Sequence, residues 1–236
     1  MYRALVTGGT KGIGRAIASA ILVAGGRVMI TGRDQAGIDV AVGELAREAG
    51  DSARVAGCAA NMRDRVAVEK AVAATVSRFG GIDTLVNNAG VGVFKDVASM
   101  SDDEWDRVIG TNLTGVFYAC RAAVPEMKRA GGGWIINIAS LAARNYFATA
   151  GAYCASKAGL LALSESLMLE VRDAGIRVSV VMPGSVATGF SHPREHTDDS
   201  WKLTPGDIAE VVMDLLRHPA RSLPSKVEIR PSRTKP

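Results

Sequence analysis

A glycine-rich turn near the N-terminus constrains the fold of this chain more than any other stretch. Residues 7–14 read TGGTKGIG; they follow a short apolar strand pattern and open a helical pattern of apolar residues. Glycine at positions 8, 12 and 14 permits a tight turn, close approach of the backbone to a diphosphate and close packing of the helix on a sheet. The helix N-terminus adds free N–H groups and a partial positive charge. The turn therefore predicts an α/β fold with a phosphate-binding strand–turn–helix unit.

Length and composition indicate one folded, soluble domain spanning residues 1–236. Hydrophobic residues make up 47% of the chain and charged residues 22%, which argues against disorder. The net charge is +4, and the basic residues are scattered apart from a short cluster at 230–235. We therefore expect a solvated surface and no nucleic-acid partner.

Cysteine usage and the start of the chain predict the compartment. The three cysteines form an odd number without metal-ligand spacing, so we expect neither a disulfide framework nor a metal site. The first residues run directly into a strand pattern, which leaves no room for a signal peptide, and no apolar run reaches transmembrane length. We expect a cytoplasmic protein without a membrane partner.

The rest of the chain alternates strand and helix patterns, which is typical of a parallel sheet with helices on its faces. The predicted strands are 4–7, 27–31, 54–59, 84–86, 134–138, 177–182 and 226–229. Predicted helices include 66–79, a helix running from about 112 to 130, 152–173 and 204–218, and a capping box of Ser101 with Glu104 opens another. The polar stretch 189–203, with His192, Arg194 and His196, is predicted to be a loop or lid; either histidine could touch substrate or simply face solvent.

The end of the second strand carries a cation where many nucleotide sites carry an acid. An acidic residue here holds a ribose 2′-hydroxyl, whereas an arginine accommodates a 2′-phosphate. This chain has Gly32 and then Arg33, and Lys11 in the glycine turn could reach the same phosphate. The pair favours NADP(H) over NAD(H). Asp34 could cap the next helix or weaken the phosphate site.

Tyr153 and Lys157 are four residues apart and would share one helix face, with Ser140 thirteen positions before the tyrosine. An ammonium close to a phenol stabilises the phenolate and lowers the tyrosine pKa. A serine hydroxyl could hold a carbonyl oxygen against that phenol while its proton is delivered. The constellation predicts carbonyl reduction, or alcohol oxidation in reverse, although a tyrosine–lysine pair at this spacing alone is more often a helix-surface pair.

Several asparagines follow predicted strands or helices. Asn61 could bond an adenine amino group, and the pair at 87 and 88 is predicted to tie strand ends together and wall the nucleotide site. The amide of Asn112 could bend its helix or hold a water, and the sequence alone does not choose between these roles.

Over nearly its whole length the chain resembles the short-chain dehydrogenase/reductase family. The resemblance rests on TGGTKGIG at 7–14, NNAG at 87–90, Asn112, Ser140, YCASK at 153–157 and PGSVAT at 183–188, in order and at family spacing. The family implies a single-domain, doubly wound Rossmann fold with seven parallel strands and helices on both faces. It also implies a homodimer or homotetramer. Asn61 departs from the family pattern, where an aspartate is usual.

By this resemblance Tyr153 is the general acid in reduction and Ser140 orients the carbonyl. Lys157 would lower the tyrosine pKa and hold the nicotinamide ribose, and Asn112 would position a water that links Lys157 to solvent. The implied NADP(H)-binding residues are Gly8, Thr10, Lys11, Gly12, Ile13, Gly14, Arg33, Asn61, Met62, Asn88, Ala89, Gly90, Tyr153, Lys157, Pro183, Gly184, Val186 and Thr188.

The resemblance leaves the substrate open. A 3-oxoacyl thioester on a carrier protein is the leading specific hypothesis, because related reductases share these motifs. A small ketone, a sugar or a pterin carbonyl would fit equally well. A non-catalytic NADP(H)-binding regulator is the alternative from another class, and the intact set of Asn112, Ser140, Tyr153 and Lys157 argues against it.

Overall fold

A seven-stranded, fully parallel sheet forms the centre of the molecule in the computed structural model, which describes residues 1–190 and 198–233. The strands are β1 (Arg3–Val6), β2 (Arg27–Gly32), β3 (Val55–Ala59), β4 (Thr84–Asn87), β5 (Gly133–Ile138), β6 (Ile176–Pro183) and β7 (Lys226–Ile229). Their spatial order is β3-β2-β1-β4-β5-β6-β7, so the chain reverses its direction of winding between β1 and β4. In open α/β sheets ligands bind outside the carboxyl ends of the strands at such a switch point. The predicted doubly wound Rossmann sheet is confirmed.

Helices cover both faces of the sheet. They are α1 (Gly12–Val23), α2 (Gln35–Ala49), α3 (Arg65–Phe79), α4 (Asp102–Ile109), α5 (Gly115–Arg129), α6 (Gly151–Val171) and α7 (Pro205–Arg217). One buried cluster joins the sheet to α1, α2 and α7 through side chains such as Ile17, Leu45 and Val212. A second joins it to α3, α5 and α6 through side chains such as Val68, Met127 and Leu160. Both faces are apolar because parallel strands are buried on both sides.

Two predicted caps are present. Ser101 and Glu104 form the capping box of α4, and Thr204 forms another with Asp207, with Pro205 at the first position of α7. Each cap satisfies amide groups that a helix N-terminus otherwise leaves unpaired.

Most predicted boundaries lie within a residue or two of the observed ones. Two predicted helices also include a turn that is not α-helical. The helix bearing Tyr153 ends at Val171, because a tighter 3₁₀ turn at Arg172–Ala174 and a left-handed Gly175 close it. The helix predicted to start near Asn112 begins at Gly115, after a π-helical turn at Gly110–Thr114.

Of the predicted loop 189–203, the structure describes 189–190 and 198–203; His192, Arg194 and His196 lie outside the described residues. Among the helices that are described, none is both long enough and apolar enough to cross a bilayer.

Candidate active site

The glycine turn connects β1 to α1 in a conformation that side chains would obstruct. Gly8 and Gly12 have φ of 65° and 57°, in the left-handed region that glycine adopts without strain. A Cβ on Gly14 would lie 2.4 Å from both the Gly8 carbonyl oxygen and Asn88 Nδ2. Ile13, between these glycines, packs partly buried against the α1, α2 and α7 core. Position 14 therefore accepts only glycine without a shift of the turn.

The turn presents an uncapped helix N-terminus. Lys11 is the N-cap residue of α1, and its side chain makes no capping hydrogen bond. The first-turn amides of α1 are thus suited to a ligand with anionic oxygens. Bound phosphate groups would satisfy these amides, so the turn passes a test of fit for a dinucleotide.

Two cations flank this turn. A Cβ on Gly32, at the end of β2, would lie 2.8 Å from Thr10 Cγ2, so the strand end and the glycine turn are in contact. Arg33 follows Gly32 in the chain and Lys11 follows Thr10, and both cations are exposed. Asp34 does not pair with Arg33: its carboxylate caps α2 by accepting from Gly37 N at 2.8 Å. Within the described residues neither side-chain cation has a hydrogen bond or ion pair. Both are therefore available to bind a negatively charged ligand.

Asn61 and Met62 follow β3 and differ in exposure. Asn61 is exposed, and its side-chain oxygen accepts from Arg63 N at 3.1 Å, so one lone pair is already engaged in a local turn. Met62 is buried in the core between the sheet, α3 and α5. Only the main chain of Met62 could therefore contact a nucleotide, and its place among the ligand residues stays a prediction.

Asn88 ties β4 to the glycine turn, as the sequence predicted. Its Nδ2 donates to the carbonyls of Thr7 at 3.0 Å and Gly8 at 3.1 Å. The Thr7 hydroxyl accepts from the amides of Asn88 and Ala89. Asn87 donates to Asn137 Oδ1 at 2.8 Å and so joins β4 to β5. This part of the site is fixed by buried polar contacts.

Tyr153 and Ser140 meet at the carboxyl end of β5. Ser140 comes two residues after that strand, and its Oγ accepts from Ala142 N at 3.1 Å. The Ser140 side chain acts to lower the pKa of Tyr153, which lies in the first turn of α6. The two side chains are therefore close in space, and their predicted roles stay predictions.

Lys157 is buried beside this pair. Its Nζ donates to the Ile138 carbonyl at 2.9 Å and lies 5.8 Å from the centroid of the Tyr153 ring. A Cβ on Gly90 would lie 3.8 Å from the same Nζ, so the NNAG segment reaches the lysine. Burial lowers the pKa of Lys157 to about 8, because the charged form loses its hydration.

The predicted lowering of the Tyr153 pKa by Lys157 stays a prediction, and burial of the phenol acts in the opposite sense. Burial raises the pKa of Tyr153, and the Ser140 side chain only opposes that rise. The ammonium sits over the ring and bonds to a main-chain carbonyl instead of the phenol oxygen.

Asn112 lies in the π-helical turn that precedes α5 and is fully buried. Its Oδ1 accepts from Val91 N at 2.8 Å, and its Nδ2 donates to Val91 O at 2.9 Å and to Ser156 Oγ at 3.0 Å. Both roles left open by the sequence, bending the helix and holding a water, stay predictions; what is observed is a π-helical turn at this position. The side-chain amide joins the loop after β4 to α6, next to Lys157.

The segment after β6 closes the site opposite the glycine turn. Pro183 ends the strand, and Gly184 N donates to Ile229 O at 2.8 Å on β7. Val186 forms an isolated parallel bridge with Leu203. A Cβ on Gly12 would lie 3.6 Å from Thr188 Cγ2, which brings the PGSVAT segment against the turn.

Sequence reasoning missed an aromatic cluster around Tyr153. The centroid of the Phe94 ring lies 5.7 Å from that of the Tyr153 ring, and the centroid of the Phe190 ring lies 5.8 Å from it. Phe147 stacks on Phe94 at 6.1 Å. The signal was available in the sequence: three of only five phenylalanines follow the carboxyl ends of β4, β5 and β6. We refer to Phe94, Phe147 and Phe190 as the aromatic cluster.

The comparison with known families decides the assignment of the chain. The sequence pattern of the short chain dehydrogenase family matches residues 2–199. This chain belongs to the short-chain dehydrogenase family. It is an oxidoreductase of that family, and no group of three or more His, Cys, Asp or Glu within the described residues is placed to hold a metal ion.

Individual family members resemble the chain over most of its length. A D-threitol dehydrogenase of Mycolicibacterium smegmatis is 38% identical over 189 residues, covering 80% of this chain and 72% of that protein. A metagenomic short-chain oxidoreductase solved with NADP is 36% identical, with a TM-score of 0.85 and coverage of 98% and 97% of the two chains. The alcohol dehydrogenase of the archaeon Thermococcus sibiricus, solved with 5-hydroxy-NADP, has a TM-score of 0.89 at 29% identity and covers 99% and 97%.

Proposed function

We propose that this short-chain dehydrogenase is an NADP(H)-dependent enzyme that reduces a carbonyl compound to an alcohol, with Tyr153 as the general acid. The observation that carries the proposal is the buried Lys157 ammonium over the Tyr153 ring, with Ser140 two residues after β5 at the same edge of the sheet. These groups stand at the carboxyl ends of the strands, on the same edge of the sheet as the glycine turn. A proton donor and a dinucleotide site on one edge are what carbonyl reduction requires.

NADP(H) is supported by the chain's own charges and by its relatives. The exposed and unpaired Lys11 and Arg33 flank the contact between Thr10 and Gly32, where a 2′-phosphate would place two further negative charges. The first-turn amides of α1 and the turn glycines would hold the diphosphate. Both solved relatives described above contain NADP or a derivative of it. The remaining ligand residues are those implied by the family resemblance, with Met62 contributing main chain alone.

The electrons and protons of the reaction balance with the groups present. NADPH, when bound, supplies a hydride to the carbonyl carbon and leaves as NADP⁺. As the C=O double bond becomes a single bond, the oxygen takes the phenol proton of Tyr153 while the Ser140 hydroxyl donates to that oxygen. A proton from solvent then restores the phenol.

Lys157 and Asn112 have different parts in this proposal. The Lys157 ammonium stabilises negative charge on Tyr153 after proton transfer, since a charge in a buried site acts through a low dielectric. Asn112 is a positioning residue: its amide joins Val91 to Ser156 and so sets α6 against the loop after β4.

The reductive direction is part of the proposal: Tyr153 acts as the acid in reduction and would act as the base in the reverse oxidation. The D-threitol dehydrogenase relative is named for the opposite direction, and a 3-oxoacyl thioester is the specific reductive substrate that the sequence motifs suggest. A cytoplasmic location and a homodimer or homotetramer stay predictions.

The test is Tyr153→Phe, assayed for NADPH binding and for NADPH oxidation against a panel of ketones, aldehydes, ketoses and acetoacetyl thioester. We expect the dissociation constant for NADPH to change by less than about threefold and turnover to fall by about 10²–10⁴. Tyr118→Phe, on α5, is the matched control and should keep turnover. Undiminished turnover in Tyr153→Phe would contradict the assigned role, and tight NADPH binding without turnover of any panel member by the wild type would favour the regulator.

A further inference from the structure

The aromatic cluster forms one wall of the space next to the proposed proton donor. Phe94, Phe147 and Phe190 are 37%, 53% and 43% exposed, so their rings meet solvent and are not core residues. Phe94 and Phe190 each contact the Tyr153 ring, with interplanar angles of 58° and 54°. Atoms next to a carbonyl that reaches Tyr153 would therefore lie near these rings.

The two loops that carry this wall are fixed to each other. Lys95 N, next to Phe94, donates to the Thr149 carbonyl at 2.6 Å, two residues beyond Phe147. Thr149 has φ of 64°, a left-handed conformation that is strained for a β-branched residue and that the contact helps to hold. Lys95 Nζ is paired with Glu104 of α4 at 3.0 Å. The rings of Phe94 and Phe147 are thus presented by an anchored pair of loops.

We propose that the aromatic cluster selects substrates in which a flat apolar group, such as a phenyl ring, is attached next to the reacting carbonyl, and that it disfavours polyhydroxylated ketones. The proposal rests on the proposed function, because it takes Tyr153 as the proton donor.

Desolvation gives the physical reason for this selectivity. An aryl group packed edge-to-face or offset against phenylalanine rings gains apolar burial and favourable ring geometry. A ketose would bring several hydroxyls against the same rings, and each would lose hydrogen bonds to water without a partner there. The charged side chain adjacent to Phe94 cannot serve those hydroxyls freely, because the Lys95 ammonium is engaged by Glu104.

This substrate class differs from that of a similar family member. The D-threitol dehydrogenase of Mycolicibacterium smegmatis is named for a small polyol. The same fold can carry either specificity, because the loops beyond the strand ends, and not the sheet, form the wall.

The experiment compares kcat/KM for NADPH-dependent reduction of two probes, 1-phenylpropane-1,2-dione as the aryl carbonyl and erythrulose as the polyhydroxylated ketone. We expect the wild type to favour the aryl carbonyl by at least about tenfold. Phe147→Ala should reduce that preference about tenfold, because it removes one ring of the wall without touching Tyr153. A thermal unfolding scan and the dissociation constant for NADPH establish that the variant is folded.

Phe117→Ala is the matched control. Phe117 is 42% exposed, like the cluster residues, but its ring contacts Tyr118 and Arg121 on α5. It should leave the ratio of the two kcat/KM values unchanged. A preference for erythrulose, or an equal fall for both probes in Phe147→Ala, would overturn the substrate class alone. Absence of turnover with either probe, in a wild type that reduces no other member of the wider panel, would overturn the proposed function as well.

Discussion

The two halves of the candidate site are built in opposite ways. The nucleotide half, made of residues 7–14, the end of β2 and Asn88, is defined by backbone that leaves no room for side chains. The substrate half, made of the loops bearing Phe94 and Phe147 together with Phe190, is defined by side chains that project into solvent. A side chain added at Gly8 or Gly14 disturbs the fold of the turn, whereas a change at Phe147 alters what the wall contacts. The turn glycines therefore tolerate less change than the exposed rings.

The largest effect is expected from Gly14→Ala in the nucleotide half. The added Cβ would lie 2.4 Å from Gly8 O and from Asn88 Nδ2, so the turn or the strand end has to move. We expect a loss of about 2–3 kcal/mol in the free energy of unfolding and a dissociation constant for NADPH raised at least about tenfold. Urea denaturation and fluorescence titration measure the two quantities.

Gly43→Ala supplies the control for that change. Gly43 lies inside α2, where an added Cβ meets nothing within 4 Å. Alanine should raise the free energy of unfolding by about 0.5–1 kcal/mol, because it restricts the unfolded chain and favours helix. If both alanine variants behaved alike, the claim that backbone packing defines the nucleotide half would be wrong.

Arg33→Ala separates the 2′-phosphate from the rest of the nucleotide. Removing this unpaired cation should weaken NADPH binding by about 10- to 100-fold, as expected for a charge-assisted contact, and leave NADH binding nearly unchanged. Arg27→Ala, at the opposite end of β2, is the matched control and should affect neither. Equal weakening of NADPH and NADH by Arg33→Ala would remove the proposed 2′-phosphate contact.

Lys157→Met tests how much the buried charge of Lys157, between the two halves, lowers the free energy of unfolding. Above its usual pKa of 10.5 the lysine is neutral in the folded and unfolded chains, and between 10.5 and about 8 only the unfolded chain binds the proton. The free energy of unfolding therefore falls as the pH is lowered through that window. Below about 8 it falls no further on account of Lys157, because both states then bind the proton.

At pH 7 we expect Lys157→Met to be more stable than the wild type by about 1–2 kcal/mol, after allowance for the unpaired Ile138 carbonyl, while turnover is lost. The gain should shrink as the pH is raised towards 10, which denaturation curves at both pH values would reveal. A variant less stable than the wild type at pH 7 would show that Lys157 contributes net stability.

Sequence reasoning predicted the glycine turn and the parallel sheet well because their geometry demands particular residue types. Gly8 and Gly12 need left-handed backbone, and Gly14 has no space for a side chain, so the glycine pattern directly encodes the turn. The alternation of apolar strands and helices likewise gave the parallel sheet, because strands buried on both faces read as short continuous apolar runs between helical patterns.

The sequence could not give what depends on distant contacts. The pKa of Tyr153 rises because neighbouring elements bury its phenol, and the ammonium of Lys157 bonds to Ile138 O. The π-helical turn at Asn112 follows from bonds to Val91 and Ser156, far apart in the chain. The aromatic cluster forms only once three separate loops meet at one edge of the sheet.

The most direct test of the central claim follows the transferred hydrogen. NADPH carrying deuterium at the transferable C4 position is incubated with the protein and 1-phenylpropane-1,2-dione, and the alcohol is analysed by mass spectrometry. We expect one deuterium on the new carbinol carbon with the wild type and, over the same time, almost no product with Tyr153→Phe although it binds NADPH. Alcohol without deuterium, or equal labelled product from both proteins, would contradict hydride transfer assisted by Tyr153.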